Sequence, residues 1–430
     1  MEKFIVEGGR TLQGTACVHG AKNAVLPILA ATILAGGKSV LHNCPALSDV
    51  DVACRILAYL GAKISREGST LIVDTQTIDK FDIPEEMMHE MRSSIIFLAP
   101  LAARMHRAVL CAPGGCEIGL RPIDLHLYGL NLLGMQAVSE GSCIRCSVQA
   151  LHGEKIILPF PSVGATENIM IAATVARGRT LLVNAAREPE IEDLAAFLNR
   201  CGAKIRGAGS GTIEITGVSR LHGAEHAVIP DRILACTLMC CAAATCSQIT
   251  LQNVCAAHLN PVFPVFYNSG CRLRTAQDTL TITPPKYLKK LGQVKTMPYP
   301  GFPTDCQAPV MALACVAHGT SVFVENIFEN RYRHVPELKK LGAKIDVSDK
   351  VAVVEGVPKL SGTRVRATDL RGGAALVVAA LAAQGVTEIT DIGHIDRGYE
   401  NMETMLRALG AQIVRDGKKS EEGRQPFVSG

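Results

Sequence analysis

The stretch richest in potential chemistry is residues 110–126, Leu-Cys-Ala-Pro-Gly-Gly-Cys-Glu-Ile-Gly-Leu-Arg-Pro-Ile-Asp-Leu-His. An apolar run ends at Pro113, Gly114 and Gly115, residues that stop a strand and open backbone conformations closed to others, so Cys116 is expected on a surface loop. Arg121 follows within reach of it. A free thiol titrates near about 8.5 and a neighbouring guanidinium favours the thiolate, which suits Cys116 to proton transfer or nucleophilic attack. The competing account is a turn that merely contains a cysteine, in a chain with 16 of them.

A second set of charged residues recurs where strongly apolar helices begin. Lys22 and Asn23 open the first, Arg92 the second, Ser162-Val163-Gly164 the third, Asp231-Arg232 the fourth, Asp305 the fifth and Arg371 the sixth. Unpaired backbone N–H groups and the positive end of each helix dipole meet Lys and Arg side chains there, a setting for a multiply charged anion. Taken singly, each residue reads as a helix cap or a solvated charge. Their shared register is what points to one cleft closed by two domains. Asp305 is opposite in sign and reads either as a cap or as a general base that takes the proton of an attacking hydroxyl. Glu188 and Glu190 are further acidic candidates in supporting roles, with Arg187 as a partner for one of them.

The elements that position these residues follow from a repeat. The phrases Leu60-Gly-Ala-Lys-Ile, Leu133-Gly-Met-Gln-Ala, Cys201-Gly-Ala-Lys-Ile, Ser269-Gly-Cys-Arg-Leu, Leu341-Gly-Ala-Lys-Ile and Leu409-Gly-Ala-Gln-Ile place glycines at 61, 134, 202, 270, 342 and 410, spaced by 73, 68, 68, 72 and 68. Six copies of one supersecondary unit are implied. Each phrase closes an amphipathic helix at a left-handed glycine and opens a strand. Ahead of it lies a helix that is apolar almost all round, at 24–35, 94–103, 167–176, 233–244, 306–317 and 373–383. A helix without a polar face must be surrounded by protein. The expected fold is therefore α/β (α+β): two domains, each an inside-out α/β barrel of three repeats, with buried helices surrounded by sheets and outer helices. The break falls in the polar stretch 221–230, and the residues after 418 read as a disordered tail, 419–430.

Composition narrows the partners. A net charge of +4 is too balanced for a nucleic-acid or membrane partner, and 4% aromatic residues leave few stacking platforms. The cysteines sit in apolar runs without a fixed framework, as in a reducing cytoplasm. Cys143-Ile-Arg-Cys146 has no second pair and reads as a strand with alternating side chains rather than a metal site. Neither a signal peptide nor a membrane-spanning run is legible. Gly36-Gly-Lys-Ser39 lacks the first glycine of a P-loop, since position 32 is Thr32, and Gly207-Ala-Gly-Ser-Gly211 reads as a hairpin rather than a dinucleotide loop.

Several motifs together resemble the UDP-N-acetylglucosamine enolpyruvyl transferase family: Gly20-Ala-Lys-Asn-Ala, the stretch from Pro113 to His126, Ser162-Val-Gly-Ala-Thr, Asn184-Ala-Ala-Arg-Glu-Pro-Glu-Ile, Pro303-Thr-Asp, Glu329-Asn-Arg-Tyr and His394-Ile-Asp-Arg-Gly-Tyr. The likeness runs over about residues 1–415. The related enolpyruvylshikimate phosphate synthases share the fold without the cysteine loop. The resemblance implies the first committed step of peptidoglycan synthesis. The sugar 3-hydroxyl adds to C2 of phosphoenolpyruvate, C3 is protonated, and phosphate leaves from the tetrahedral intermediate.

Carried over by motif, the catalytic set is Cys116, Asp305, Lys22 and Arg397. Cys116 protonates C3 and assists product release, and Asp305 takes the hydroxyl proton. Lys22, Arg121 and Arg397 hold the phosphate and carboxylate of phosphoenolpyruvate, while Asn23, Asp305 and Ile327 face the sugar. Arg92, Arg121, Pro122, Ile123, Asp124, Leu125, Ser162, Val163 and Gly164 bind the nucleotide and its diphosphate, and Arg371 completes the cleft. Glu188, Glu190, Asp231, Arg232, Arg331 and Asp369 support them. The resemblance joins residues 1–21 to 230–418 as one lobe, carrying Asp305, Arg371 and Arg397, with 22–229 as the other, carrying Lys22 and the Cys116 loop. It implies no cofactor and no metal, and its partners are phosphoenolpyruvate and UDP-N-acetylglucosamine, with no nucleic acid and no membrane. A cytoplasmic monomer is expected.

Two departures stand out. Leu234 and Cys236 replace Glu and Gly in the helix after Pro230-Asp-Arg-Ile, turning a polar face apolar, and Phe160 stands where some members place a lysine near the diphosphate. The alternative reading is a non-catalytic paralogue that binds the UDP-sugar as a sensor or partner module.

Overall fold

The computed structural model describes residues 2–91, 93–111, 123–141 and 143–417. Cys116, Arg92, Arg121, Pro122 and the segment 419–430 lie outside them. The described chain forms two compact units, one of residues 2–19 and 230–417, the other of residues 20–111 and 123–229.

Six helices that lack a polar face recur at the repeat interval. They are α1 (Lys22–Ala35), α2 (Leu98–Met105), α3 (Val163–Ala173), α4 (Arg232–Ala244), α5 (Gln307–Ala314) and α6 (Leu370–Ala382). Every residue from Arg232 to Ala243 is buried, as is every residue from Arg371 to Leu381. In the first unit α4, α5 and α6 pack on one another; in the second, α2 lies against both α1 and α3. Small side chains such as Ala374, Ala375, Ala379 and Ala380 let these helices approach closely, and burial of their apolar surface supplies the main stabilising term at roughly 25 cal/mol per Å². None of the helices among the described residues is long and apolar enough to cross a membrane.

Among the described residues, six separate four-stranded sheets stand around the helices, each with one parallel and two antiparallel pairings. Their strands alternate buried and exposed residues, as in Val351–Glu355, where Ala352 and Val354 face inward. Three sheets borrow a strand from far along the chain. Gly14–Cys17 pairs in parallel with Ile249–Gln252, and Lys3–Glu7 inserts antiparallel between Val386–Thr390 and Gln412–Asp416. In the other unit Glu225–Ala227 pairs with Lys38–His42. The first residues therefore belong with the last repeats because they complete two of those sheets.

The repeat glycines at 61, 134, 202, 270, 342 and 410 all adopt positive φ, from +90° to +107°, as helix terminators require. Gly207–Gly211 is a hairpin loop joining Lys204–Arg206 to Thr212–Thr216. Cys143 and Cys146 lie on one strand, Cys143–Val148, at positions of opposite parity and so on opposite faces.

A second repeated device was not foreseen. Asn43, Asn184 and Asn253 each follow the strand after a buried helix in left-handed backbone, at φ +56°, +56° and +55°. Each Nδ2 donates to a carbonyl just beyond the parallel neighbour strand, Val228, Leu158 and Val18, at 2.8, 2.7 and 2.6 Å. Asparagine tolerates this conformation and brings its own donor. Asn253→Ala should lower stability by about 2 kcal/mol, roughly half from backbone strain and half from the lost hydrogen bond. Asn253→Gly should recover only the first part, and equal midpoints for the two variants in urea unfolding would contradict this division.

Candidate functional site

In the unit of residues 20–229, Lys22 is the first residue of α1 and is buried. A cation at a helix N-terminus opposes the helix dipole, so it needs an answering charge. Asp49, in the first turn of the helix Ser48–Tyr59, supplies it: its carboxylate stands 2.6 Å from Lys22 Nζ, and both side chains are buried. Asn23 follows, half-buried. Asp49 escaped the sequence reading because an acidic residue in a first helical turn already has a sufficient explanation in the dipole.

The turn Ile123-Asp124-Leu125 leads into the helix Asp124–Leu132, and the residue after it, His126, is buried against the start of α3. Asn168 Nδ2 donates to His126 Nδ1 at 3.0 Å, which leaves the ring proton on Nε2. The same amide donates to the Gly164 carbonyl at 3.2 Å and its oxygen accepts from Ala99 N at 3.2 Å, so one buried side chain ties three segments together. A Cβ on Gly164 would come within 2.8 Å of the His126 ring, which explains the glycine in Ser162-Val163-Gly164. Ser162 caps α3, its Oγ accepting from Ala165 N at 3.4 Å, and its hydroxyl proton remains a donor. Burial holds His126 at about 4, hence neutral near pH 7.

Glu190 is buried in the first turn of the helix Pro189–Arg200, and Glu188 precedes that helix, half-buried. Arg187 meets Glu188 through its backbone, whose N–H donates to Glu188 Oε2 at 3.0 Å, while its side-chain Nε donates to the Gly209 carbonyl of the 207–211 hairpin at 3.5 Å. Glu167, on α3, was not anticipated. Burial first, then the charges of Glu190 and Glu188, push its carboxyl well above the usual range, which favours the protonated form. Phe160 is exposed, and its carbonyl accepts from Ser162 N at 2.8 Å.

In the unit of residues 2–19 and 230–417, three acidic residues occupy corresponding places at the starts of α4, α5 and α6, and they do different work. Asp231 caps α4, accepting from Ile233 N at 2.7 Å and Leu234 N at 3.0 Å. Asp369 caps α6, accepting from Arg371 N and Gly372 N, both at 3.0 Å. Asp305, in the turn Thr304–Cys306 ahead of α5, faces two guanidinium groups instead: Arg331 Nη2 at 2.9 Å and Arg371 Nη2 at 3.4 Å. Both arginine side chains are 3% exposed, against 29% for Asp305, so one accessible carboxylate stands before two buried cations. The carboxylate is partly exposed, and the excess positive charge behind it favours an anion in front.

Arg371 is further held against the Tyr399 ring, 5.5 Å from its centroid, and the Tyr399 hydroxyl is 3.0 Å from Thr237 Oγ1. Burial opposes the charge of Arg371, but Asp305, Tyr399 and Asp231 outweigh it. Arg232 is buried beside Tyr299, 5.5 Å from the ring centroid. The apolar departure in α4 is a thiol cluster: Cys236 hydrogen-bonds with Cys240 and with Cys306, and its thiol is pushed well above the ordinary range, so it is inert.

Ile327 is half-buried in a loop organised by Glu325, also unforeseen. The buried Glu325 carboxylate accepts from Ile327 N at 2.8 Å, Phe328 N at 3.2 Å, Thr296 Oγ1 at 2.9 Å and Thr304 Oγ1 at 3.0 Å, which ties the loop to the residue before Asp305. Arg397 is half-buried after the helical turn Gly393–Asp396. Among the described residues there is no cluster of three or more His, Cys, Asp or Glu side chains that could hold a metal ion.

A family model described as EPSP synthase (3-phosphoshikimate 1-carboxyvinyltransferase) matches residues 6–420. The chain is 49% identical over 415 residues to UDP-N-acetylglucosamine 1-carboxyvinyltransferase 2 of Caldanaerobacter subterraneus subsp. tengcongensis, covering 96% of this chain and 100% of that protein. It is 48% identical to UDP-N-acetylglucosamine 1-carboxyvinyltransferase 1 of Carboxydothermus hydrogenoformans, over 96% and 98%. Among solved structures, the enolpyruvyl transferase NikO from Streptomyces tendae is similar with a TM-score of 0.88 at 26% identity, over 96% of this chain and 98% of that one. EPSP synthase from Acinetobacter baumannii shares the fold at a TM-score of 0.73 and 17% identity, over 97% and 100%.

Two outcomes are expected. Asp49→Asn removes the carboxylate that faces the buried Lys22 cation and should lower stability by about 3–5 kcal/mol, whereas Lys22→Met combined with Asp49→Leu should recover most of it in urea unfolding. His126 and His334, both buried with values near 4, sit below the ordinary 6.5. Between those values the unfolded chain binds more protons, so stability should fall as pH drops from about 6.5 toward 4. Asp369 is affected in the opposite range: burial raises its carboxyl, but Arg331, the Gly372 and Arg371 N–H groups and His334 bring it below its usual value, so its contribution persists until still lower pH. Unfolding series at pH 7 and pH 5 should differ by about 2 kcal/mol per histidine, and a flat profile would contradict neutral, buried rings.

Proposed function

The chain belongs to the EPSP synthase family of enolpyruvyl transferases, and from that premise we propose that it transfers the enolpyruvyl group of phosphoenolpyruvate to the 3-hydroxyl of UDP-N-acetylglucosamine with release of phosphate. The observation that carries the reading is the match along 96% of the chain to relatives named UDP-N-acetylglucosamine 1-carboxyvinyltransferase. The partly exposed Asp305 carboxylate before two buried arginines is the local chemistry that agrees with it.

In the addition, the sugar oxygen bonds to C2 of phosphoenolpyruvate, the hydroxyl proton passes to Asp305, and the C2–C3 π pair takes a proton from Cys116 at C3. In the elimination, C3 loses a proton, the double bond re-forms and the C2–O bond to phosphate breaks. Lys22, Arg121 and Arg397 hold the phosphate and carboxylate, and Asn23 and Ile327 orient the sugar. Arg92, Pro122, Ile123, Asp124, Leu125, Ser162, Val163 and Gly164 take the nucleotide. Arg371 and Arg331 set the charge at Asp305, with Glu188, Glu190, Asp231, Arg232 and Asp369 supporting. The two lobes of this reading are 1–21 with 230–418, and 22–229. The enzyme acts as a cytoplasmic monomer, in the first committed step of peptidoglycan synthesis.

Phosphate should be released from phosphoenolpyruvate only when UDP-N-acetylglucosamine is present. Cys116→Ala should retain sugar binding by calorimetry and lose turnover by at least about 100-fold. A thiol-alkylating epoxide should abolish activity with its label mapped to Cys116. Sugar binding by the unaltered protein without any phosphate release would sink the reading.

A further inference from the structure

Arg415 lies on the last strand, Gln412–Asp416, with its side chain only 10% exposed. A guanidinium has five N–H groups, and each of these finds a carboxylate oxygen. Nε donates to Glu403 Oε1 at 2.8 Å and Nη2 to Glu403 Oε2 at 3.3 Å. Nη1 and Nη2 also bind Asp396 through both its oxygens, at 2.9 and 2.6 Å, and Nη1 reaches Glu2 Oε2 at 2.9 Å. The Phe4 ring closes one side, its centroid 5.0 Å from the guanidinium carbon.

Three carboxylates from separate segments of the chain converge on one cation. What the cluster achieves is placement. Asp396 is the last residue of the turn Gly393–Asp396, and the next residue is Arg397. On the far side of Arg397, Gly398 lies so close to Leu370 that a Cβ would come within 2.8 Å of it, and Tyr399 is buried against Arg371 and Thr237. The backbone of Arg397 is thus fixed from both directions, by Arg415 through Asp396 and by packing through Gly398 and Tyr399.

We propose that Arg415 is a positioning residue for Arg397, setting where its guanidinium meets phosphoenolpyruvate. The proposal rests on the reading that Arg397 binds that substrate. Lysine offers three donors from a point and cannot hold two bidentate carboxylates, so Arg415→Lys is not a conservative change here.

The test is steady-state kinetics on the full chain with Arg397→Ala, Arg415→Lys, Asp396→Asn and the Arg415→Lys/Asp396→Asn double variant, varying each substrate separately. Arg415→Lys and Asp396→Asn should each raise KM for phosphoenolpyruvate roughly tenfold, with little change in KM for UDP-N-acetylglucosamine, and the double variant should be no worse than either. If Arg415→Lys fails to fold, Asp396→Asn decides, because Arg415 then keeps Glu2 and Glu403. Should Arg397→Ala raise that KM while folded Arg415 and Asp396 variants do not, the positioning role is overturned and the reading of Arg397 stands. An unchanged KM in Arg397→Ala overturns both.

Discussion

Six helices with no polar face impose the constraint from which the rest follows. Such a helix has nowhere to meet water along its length, so in each unit three of them are covered by sheets and outer helices on every side. Polar residues within them, such as Asn168 and Thr237, are buried and find protein partners. At the N-terminal ends the chain places Lys22, Ser162, Asp231, Asp305 and Arg371, where backbone donors and dipoles already favour negative charge.

Burial at those ends changes what each charge can do. A cation there opposes the dipole of its own helix and survives only with a carboxylate from elsewhere, Asp49 for Lys22 and Asp305 for Arg371. Asp231 and Asp369 serve their own helices as caps, while Asp305 pairs with two arginines. The difference lies in what stands opposite. Arg331 arrives from the loop after Glu325, and Arg371 from the next repeat, so Asp305 is drawn into an ion cluster that leaves it partly accessible. The same logic, in reverse, raises the Glu167 carboxyl well above its usual range: burial disfavours its charge, and two carboxylates lie near it.

Repetition also needs cross-links, because each repeat presents a sheet edge that another segment must cover. The asparagines at 43, 184 and 253 stitch the end of one strand to the chain beyond its parallel neighbour, and three sheets take a strand from far along the chain. Arg415 belongs to the same class of feature. It joins the first residues, the turn before Arg397, a helix and the last strand through a single side chain.

Much of this was legible from residue order alone. The spacing of six glycines, each at positive φ in the structure, set the number of repeats, and the all-apolar runs marked the helices that had to be buried. Local chemistry of this kind depends on neighbours within one turn, so it survives reading along a line. What tertiary structure decided were pairings across tens or hundreds of residues: Asp49 with Lys22, Asn168 with His126, Glu325 with Thr304, Arg415 with Glu2. It also separated the acidic residues at the starts of three buried helices into two caps and one carboxylate paired with two arginines. A charge acquires its role from the charges that folding brings opposite it, and those partners have no fixed distance along the chain.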